Sequence, residues 1–199
     1  MASNSTTNRL SRNVVVLGGM GVGKSTAIRR FISDEFIERY YPTVSGSFTK
    51  TITIGNKEYN LTILDTTGQD ETSLLDSTHV GPTDAFVIAF SVTFRKSFEI
   101  AQVIRDKILD MSGVNSVGIL LVGNKCDLVG ERQVSREEAQ KMADSFGCPY
   151  IETSAKENIN IEEVFIQSVN IANKASDGDA IADEPEGAEG GEKPFCIVM

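Results

Sequence analysis

A chain that carries Gly18-Gly19-Met20-Gly21-Val22-Gly23-Lys24-Ser25 between an apolar run and an amphipathic run has few ways to fold. The stretch fits G-x-x-x-x-G-K-[S/T]. Ahead of it, Asn13-Val14-Val15-Val16-Leu17 is apolar and β-branched, which predicts a buried strand. Behind it, Ser25 to Ser33 places Ala27, Ile28, Phe31 and Ile32 at helical spacing. Strand, glycine loop and helix in that order make a phosphate cradle. The glycines let consecutive backbone N–H groups turn inward, and the helix N-terminus adds partial positive charge. Lys24 is then placed to reach the terminal phosphates and the Ser25 hydroxyl to ligate Mg²⁺.

The rest of the chain supplies an α/β frame for that loop. Asp34 to Gly46 has no sustained periodicity and a proline at Pro42, which predicts an exposed loop. Phe48, Ile52 and Ile54 alternate on one face of a strand, Gly55-Asn56 turns the chain, and Glu58 to Asp65 returns, so this hairpin is antiparallel. Ala85 to Phe90 and Gly118 to Gly123 are continuous apolar runs, and Pro149 to Glu152 is a short last strand. Between them lie helical patterns. Ser97 to Met111 sets Phe98, Ala101, Ile104, Ile108 and Met111 on an inner stripe, and Ser135 with Glu138 opens a helix that runs to Phe146. The last helix, Asn160 to Asn173, takes Asn160 and Glu163 as its start signal and turns Ile161, Val164, Phe165, Ser168 and Ala172 inward. Buried strands alternating with helices predict a mostly parallel sheet covered on both faces.

Two further motifs fall at strand ends, on the rim where open α/β sheets bind ligands. Asp65-Thr66-Thr67-Gly68-Gln69-Asp70 puts a carboxylate where it can hold the Mg²⁺ water shell, with the Gly68 N–H available to a γ-phosphate. Asn124-Lys125-Cys126-Asp127 ends the next buried strand but one. An aspartate carboxylate only accepts hydrogen bonds. It can take two from guanine, at N1–H and the 2-amino group, whereas adenine presents an acceptor at N1, so this motif selects against ATP. Thr153-Ser154-Ala155-Lys156 follows the last strand and offers backbone N–H groups to the base's exocyclic oxygen.

Charge and cysteine usage bound the remainder. Of the net charge of −9, six units lie in Ala175 to Met199, where seven acids meet one lysine. With no basic face on the body, nucleic acid is excluded as a partner. Cys126, Cys148 and Cys196 show no metal-ligand spacing. No apolar run approaches 18 residues, the polar Met1 to Asn8 is no signal peptide, and Ala2 excludes N-myristoylation. The tail ends in Cys196-Ile197-Val198-Met199, a C-a-a-X pattern whose final Met favours farnesylation at Cys196. One lipid gives reversible anchoring, and the acidic linker is repelled by an anionic leaflet. The expectation is transient residence on the cytoplasmic face of endomembranes, with exchange to the cytosol.

Taken together, Gly18 to Ser25, Thr43 after Tyr40-x-Pro42, Asp65 to Gln69, and Asn124 to Asp127 with Ser154-Ala155-Lys156 resemble the Ras superfamily of small GTPases, from about Arg12 to Ala175. Phe48-Thr49-Lys50, Gly68-Gln69-Asp70-Glu71 and Ser91-Val92-Thr93 with Lys96 to Glu99 are most similar to its Rheb branch. The resemblance implies a P-loop NTPase fold of six strands, mostly parallel with one antiparallel edge strand, and a GTP/GDP switch. It implies four segments: residues 1–11 without structure, a GTP-binding domain at 12–175, a flexible acidic linker at 176–195 and the prenylation signal at 196–199. It also assigns roles. Gly21, Val22, Gly23, Lys24 and Thr26 would line the phosphates; Ser25, Thr43 and Asp65 would serve Mg²⁺; Gly68 would sense the γ-phosphate and Gln69 orient the attacking water. Phe36, Tyr40, Asn124, Lys125, Asp127, Ser154, Ala155 and Lys156 would surround the nucleoside. Implied partners are effectors through the switch loops, an exchange factor and a GTPase activator, with the chain a monomer.

The departures from the family pattern carry expectations too. Met20 stands where many Ras proteins have glycine, and a thioether there crowds the entry of an arginine finger beside Gln69, which predicts slow hydrolysis. Thr67 replaces a usual alanine. Tyr41, Ser45 and Gly46 replace acidic or amide residues of the effector loop, which predicts a different partner set. A GTP-bound adaptor without useful turnover is one alternative. A P-loop ATPase or nucleoside kinase is another, disfavoured by Asn124 to Asp127 and the lack of an arginine-rich lid.

Overall fold

The computed structural model describes residues 9–38, 44–70, 72–73, 83–113 and 117–179, with side chains to residue 176. Six strands form one sheet: β1 (Leu10–Gly18), β2 (Gly46–Ile54), β3 (Lys57–Asp65), β4 (Ala85–Ser91), β5 (Ile119–Asn124) and β6 (Tyr150–Thr153), in the order β2-β3-β1-β4-β5-β6. Only β2 runs antiparallel, at the edge, and it pairs with β3 from Ile54↔Lys57 to Gly46↔Asp65. Because β1 sits in the middle and the chain leaves it in opposite directions, the crevice beyond its carboxyl end is the switch point of the sheet. The glycine loop starts there.

Side-chain alternation along β1 builds two cores at once. Val14 and Val16 face one side, with Ile28 and Phe31 of α1 (Lys24–Ser33) and Val164, Phe165 and Val169 of α4 (Ile161–Asp179). Val15 and Leu17 face the other, with Ile104 and Ile108 of α2 (Arg95–Ser112) and Ala139 and Ala143 of α3 (Arg136–Phe146). Such apolar runs are legible as strands because both faces are covered. Phe31 stacks on Phe165 at 4.1 Å between centroids and so clamps α1 to α4. Lys50 of β2 reaches over the Phe31 ring and donates to the Phe31 carbonyl, tying the edge strand to the same helix.

Four local expectations are corrected by tertiary context. Met111, placed on the inner stripe of α2, is 40% exposed. It lies in the helix's final turn, three residues past the buried Ile108. The Asn160 side chain does not open α4. Its backbone is left-handed at φ 55°, and its amide donates to the Glu152 carbonyl at 2.8 Å, which fastens the chain after β6 instead. At the two ends, β1 takes in Leu10 and Ser11, because Leu10 pairs with Tyr59, and α4 runs on to Asp179 into the acidic stretch. Helix propagation needs only one bond per added residue, so it outlasts the packed stripe.

Candidate functional site

The carboxyl ends of β1, β3 and β5 converge on a cleft of about 420 Å³. Gly21, Gly23, Lys24, Ser25 and Thr26 line it from the glycine loop and the first turn of α1, Asp65 and Gly68 from the end of β3, and Asn124, Lys125 and Asp127 from the end of β5. Ala155, Lys156 and Phe36 complete the far side. The loop is braced by the segment that follows β5. Asn124 donates from Nδ2 to the Val22 carbonyl at 2.8 Å, while its Oδ1 accepts from the Lys125 N–H at 2.9 Å and the Thr153 hydroxyl at 3.1 Å. Lys125, held in a left-handed backbone at φ 65°, donates from Nζ to the Gly21 carbonyl at 2.9 Å. The Cys126 N–H donates to the Thr153 carbonyl at 3.0 Å, which ties the turn after β5 to the end of β6.

Electrostatics mark the centre of the cleft. Lys24 is 7% exposed and donates to the carbonyls of Gly18 (2.9 Å) and Gly19 (3.0 Å). Burial pulls its pKa down to about 8, against the opposing pull of the Asp65 carboxylate. Asp65 is pushed up by burial; the Ser25 hydroxyl, Lys24 and Arg29 work in the other direction. Its Oδ1 is buried without a hydrogen-bond partner. An orphaned carboxylate oxygen beside a hydroxyl is a costly arrangement unless a cation completes it. Oxygen donors of this kind suit a hard divalent ion such as Mg²⁺.

Residues 13–174 match the sequence profile of the Ras family. The chain belongs to the Ras family. Its relatives include the GTP-binding protein Rheb of Homo sapiens, 39% identical over 95% of this chain and 97% of that protein. The Rheb homolog of Dictyostelium discoideum is 38% identical over 94% and 97%, and the small monomeric GTPase RhbA of Aspergillus fumigatus is 36% identical over 94% and 96%. This Ras-family chain is therefore a small GTPase, a GTP hydrolase built as a nucleotide-binding switch and similar to Rheb over nearly its whole length.

Measured against the family pattern, most of the expected site residues meet in the cleft, and three do not line it. Val22 is 1% exposed: its branched side chain fills the core beneath the loop, and only its backbone remains at the site. Ser154 is fully buried and accepts from the Glu157 N–H at 3.0 Å, which stiffens the turn that carries Ala155. Gln69 is 7% exposed. Its N–H is fixed to the Gly18 carbonyl at 3.0 Å, and its amide turns back toward the Thr67 carbonyl at 3.4 Å. Met20 is 67% exposed at the cleft's rim, with its backbone packed against Gly68. Tyr40, Thr43 and Cys196 lie outside the described residues. Motif reading missed Arg29, Glu38, Val44, Phe48 and Leu128, which also line the cleft. For Arg29 the signal was present, since it follows Ser25 by four residues on the same face of α1.

Proposed function

We propose that this Ras-family GTPase turns GTP over slowly, with the cleft beside the glycine loop as its nucleotide site, and that a farnesyl group at Cys196 tethers it reversibly to endomembranes. The convergence of the glycine loop, the Ser25 and Asp65 oxygens and the Asn124 to Asp127 turn on one cleft supports this most directly. In this reading Lys24 exchanges its two loop carbonyls for phosphate oxygens, the stronger, charge-assisted partners. Asp127 takes the guanine N1–H and 2-amino donors, the Ala155 N–H meets the exocyclic oxygen, and Phe36 packs on the ring. Asn124 and Lys125 hold the loop against the base, and Gly68 offers its N–H to the γ-phosphate. Ser25 and Asp65, joined by Thr43 in the GTP state, would hold Mg²⁺, which when bound neutralises phosphate charge.

Two features favour slow turnover. Gln69 does not line the cleft and its amide reaches back toward the Thr67 carbonyl, so it does not position water from where it lies, and Met20 occupies the rim where an arginine finger would enter. Single-turnover hydrolysis of GTP with Mg²⁺ is expected on the order of 10⁻⁴ s⁻¹, the scale of Ras proteins without an activator. An arginine-finger activator of the Ras type is expected to leave that rate unchanged and to accelerate Met20→Gly by at least tenfold. Fast hydrolysis by the unaltered protein, with no effect of Met20→Gly, overturns the reading. The tether rests on the C-a-a-X pattern and on the acidic stretch before it, which an anionic leaflet repels. Protein from cells is expected to carry a farnesyl mass that Cys196→Ser lacks, and to fractionate between membrane and cytosol; firm plasma-membrane residence counts against it.

A further inference from the structure

We infer that Arg29 is a resident cation at the metal end of the cleft: it retains bound nucleotide when Mg²⁺ is withdrawn and weakens Mg²⁺ binding when the ion is present. The inference rests on the cleft being the nucleotide site. Two of the cations that line it are already employed, Lys24 by the Gly18 and Gly19 carbonyls and Lys125 by the Gly21 carbonyl. Arg29 lines the same cleft and belongs to none of the motifs. It stands one helical turn after Ser25 on α1. Long side chains on a helix lean toward its N-terminus, which carries the guanidinium back over the turn that bears the Ser25 hydroxyl. Ser25 and Asp65, the oxygen donors of the metal end, line the cleft together with it.

The consequences follow from sign alone. A guanidinium stays charged at every working pH. Toward the polyphosphate it is attractive, and that attraction matters most once Mg²⁺ no longer neutralises the phosphates. Toward Mg²⁺ bound by Ser25 and Asp65 it is a like charge, and the ion's double charge doubles the repulsion. Replacing Arg29 by leucine is therefore expected to move two quantities in opposite directions. A side chain that merely shaped the cleft would loosen both together. Arg29 is exposed, so the substitution leaves the core intact.

The test uses the full chain loaded with fluorescent GDP, with loading, thermal stability, Mg²⁺ dependence and release after chelation each measured separately. For Arg29→Leu we expect release in EDTA about tenfold faster than in the unaltered protein, and half-maximal Mg²⁺ protection at about tenfold lower free Mg²⁺. Arg29→Lys restores most of both, and both differences shrink between about 0.05 and 0.5 M salt, as partly screened charges require. Equal release rates in EDTA, or weaker Mg²⁺ and faster release together, overturn the inference while leaving the nucleotide site intact. A chain that takes up no guanine nucleotide at all overturns the nucleotide-site reading, and this inference with it.

Discussion

Asp127→Ala is expected to abolish the preference for GTP over ATP. The prediction depends on a division of labour within Asn124-Lys125-Cys126-Asp127. The Asn124 amide is spent on the Val22 carbonyl, the Lys125 N–H and the Thr153 hydroxyl, and the Lys125 ammonium on the Gly21 carbonyl. Asp127 is the member whose carboxylate lines the cleft with only acceptor capacity to offer. Guanine satisfies it with two donors. Adenine leaves it facing an acceptor, and sites built around such a bond reject the unmatched ligand by about 10⁴. Without the carboxylate that discrimination should fall to within about tenfold, and GTP affinity should drop by two to three orders of magnitude, since charged hydrogen bonds are worth roughly 1.5–3 kcal/mol each. Competition of each nucleotide against fluorescent GDP measures both. Asn124→Ala serves as the contrast: it should lower GTP and ATP affinity alike, because its loss slackens the loop rather than the base contact. Selectivity that survives in Asp127→Ala would mean that the base is read elsewhere.

What could be read from the sequence, and what could not, divides along a physical line. The glycine loop, the Asp65 strand end and the Asn124 to Asp127 turn were legible because their chemistry resides in backbone spacing, and a parallel sheet delivers strand ends to one rim whatever the side chains do. The buried stripes of α1 and α4 were legible for a related reason, since their period is local. Gln69 was not. Whether its amide faces the cleft depends on the bond from its N–H to Gly18, a contact across fifty residues that no local pattern encodes. Met111 fell on the correct helical stripe, yet the stripe outlasts the surface it packs on. Arg29 was overlooked for the opposite reason. A charged residue on a surface helix reads as a solvated face, and its place four residues after Ser25, the one local signal, does not by itself show that this face borders a cleft.

Gly18→Ala carries the largest stability effect expected from a single methyl group, and it shows how tightly the site is built into the sheet. Gly18 is the last residue of β1, paired with Ala89 of β4, with φ at 150°. A Cβ there would be driven into the Ala89 carbonyl oxygen and would lie 3.0 Å from its carbonyl carbon. Ala89 has no direction in which to retreat, because on its other side it pairs with Val122 of β5. Relief therefore requires β1 and β4 to part at the point where the Gly18 carbonyl also receives Lys24 and Gln69. Overpacking against backbone, with strain added, costs about 4 kcal/mol. At roughly 2–4 °C per kcal/mol for a domain of this size, the melting temperature should fall by about 8–16 °C. Gly21→Ala is the control: it has the left-handed φ of 72° but no atom within 4 Å of the added methyl, so only the local strain, about 1 kcal/mol, should register. If the two variants melted together, backbone conformation rather than the Ala89 contact would set the requirement for glycine, and the rigid joint between loop and sheet would have to be abandoned.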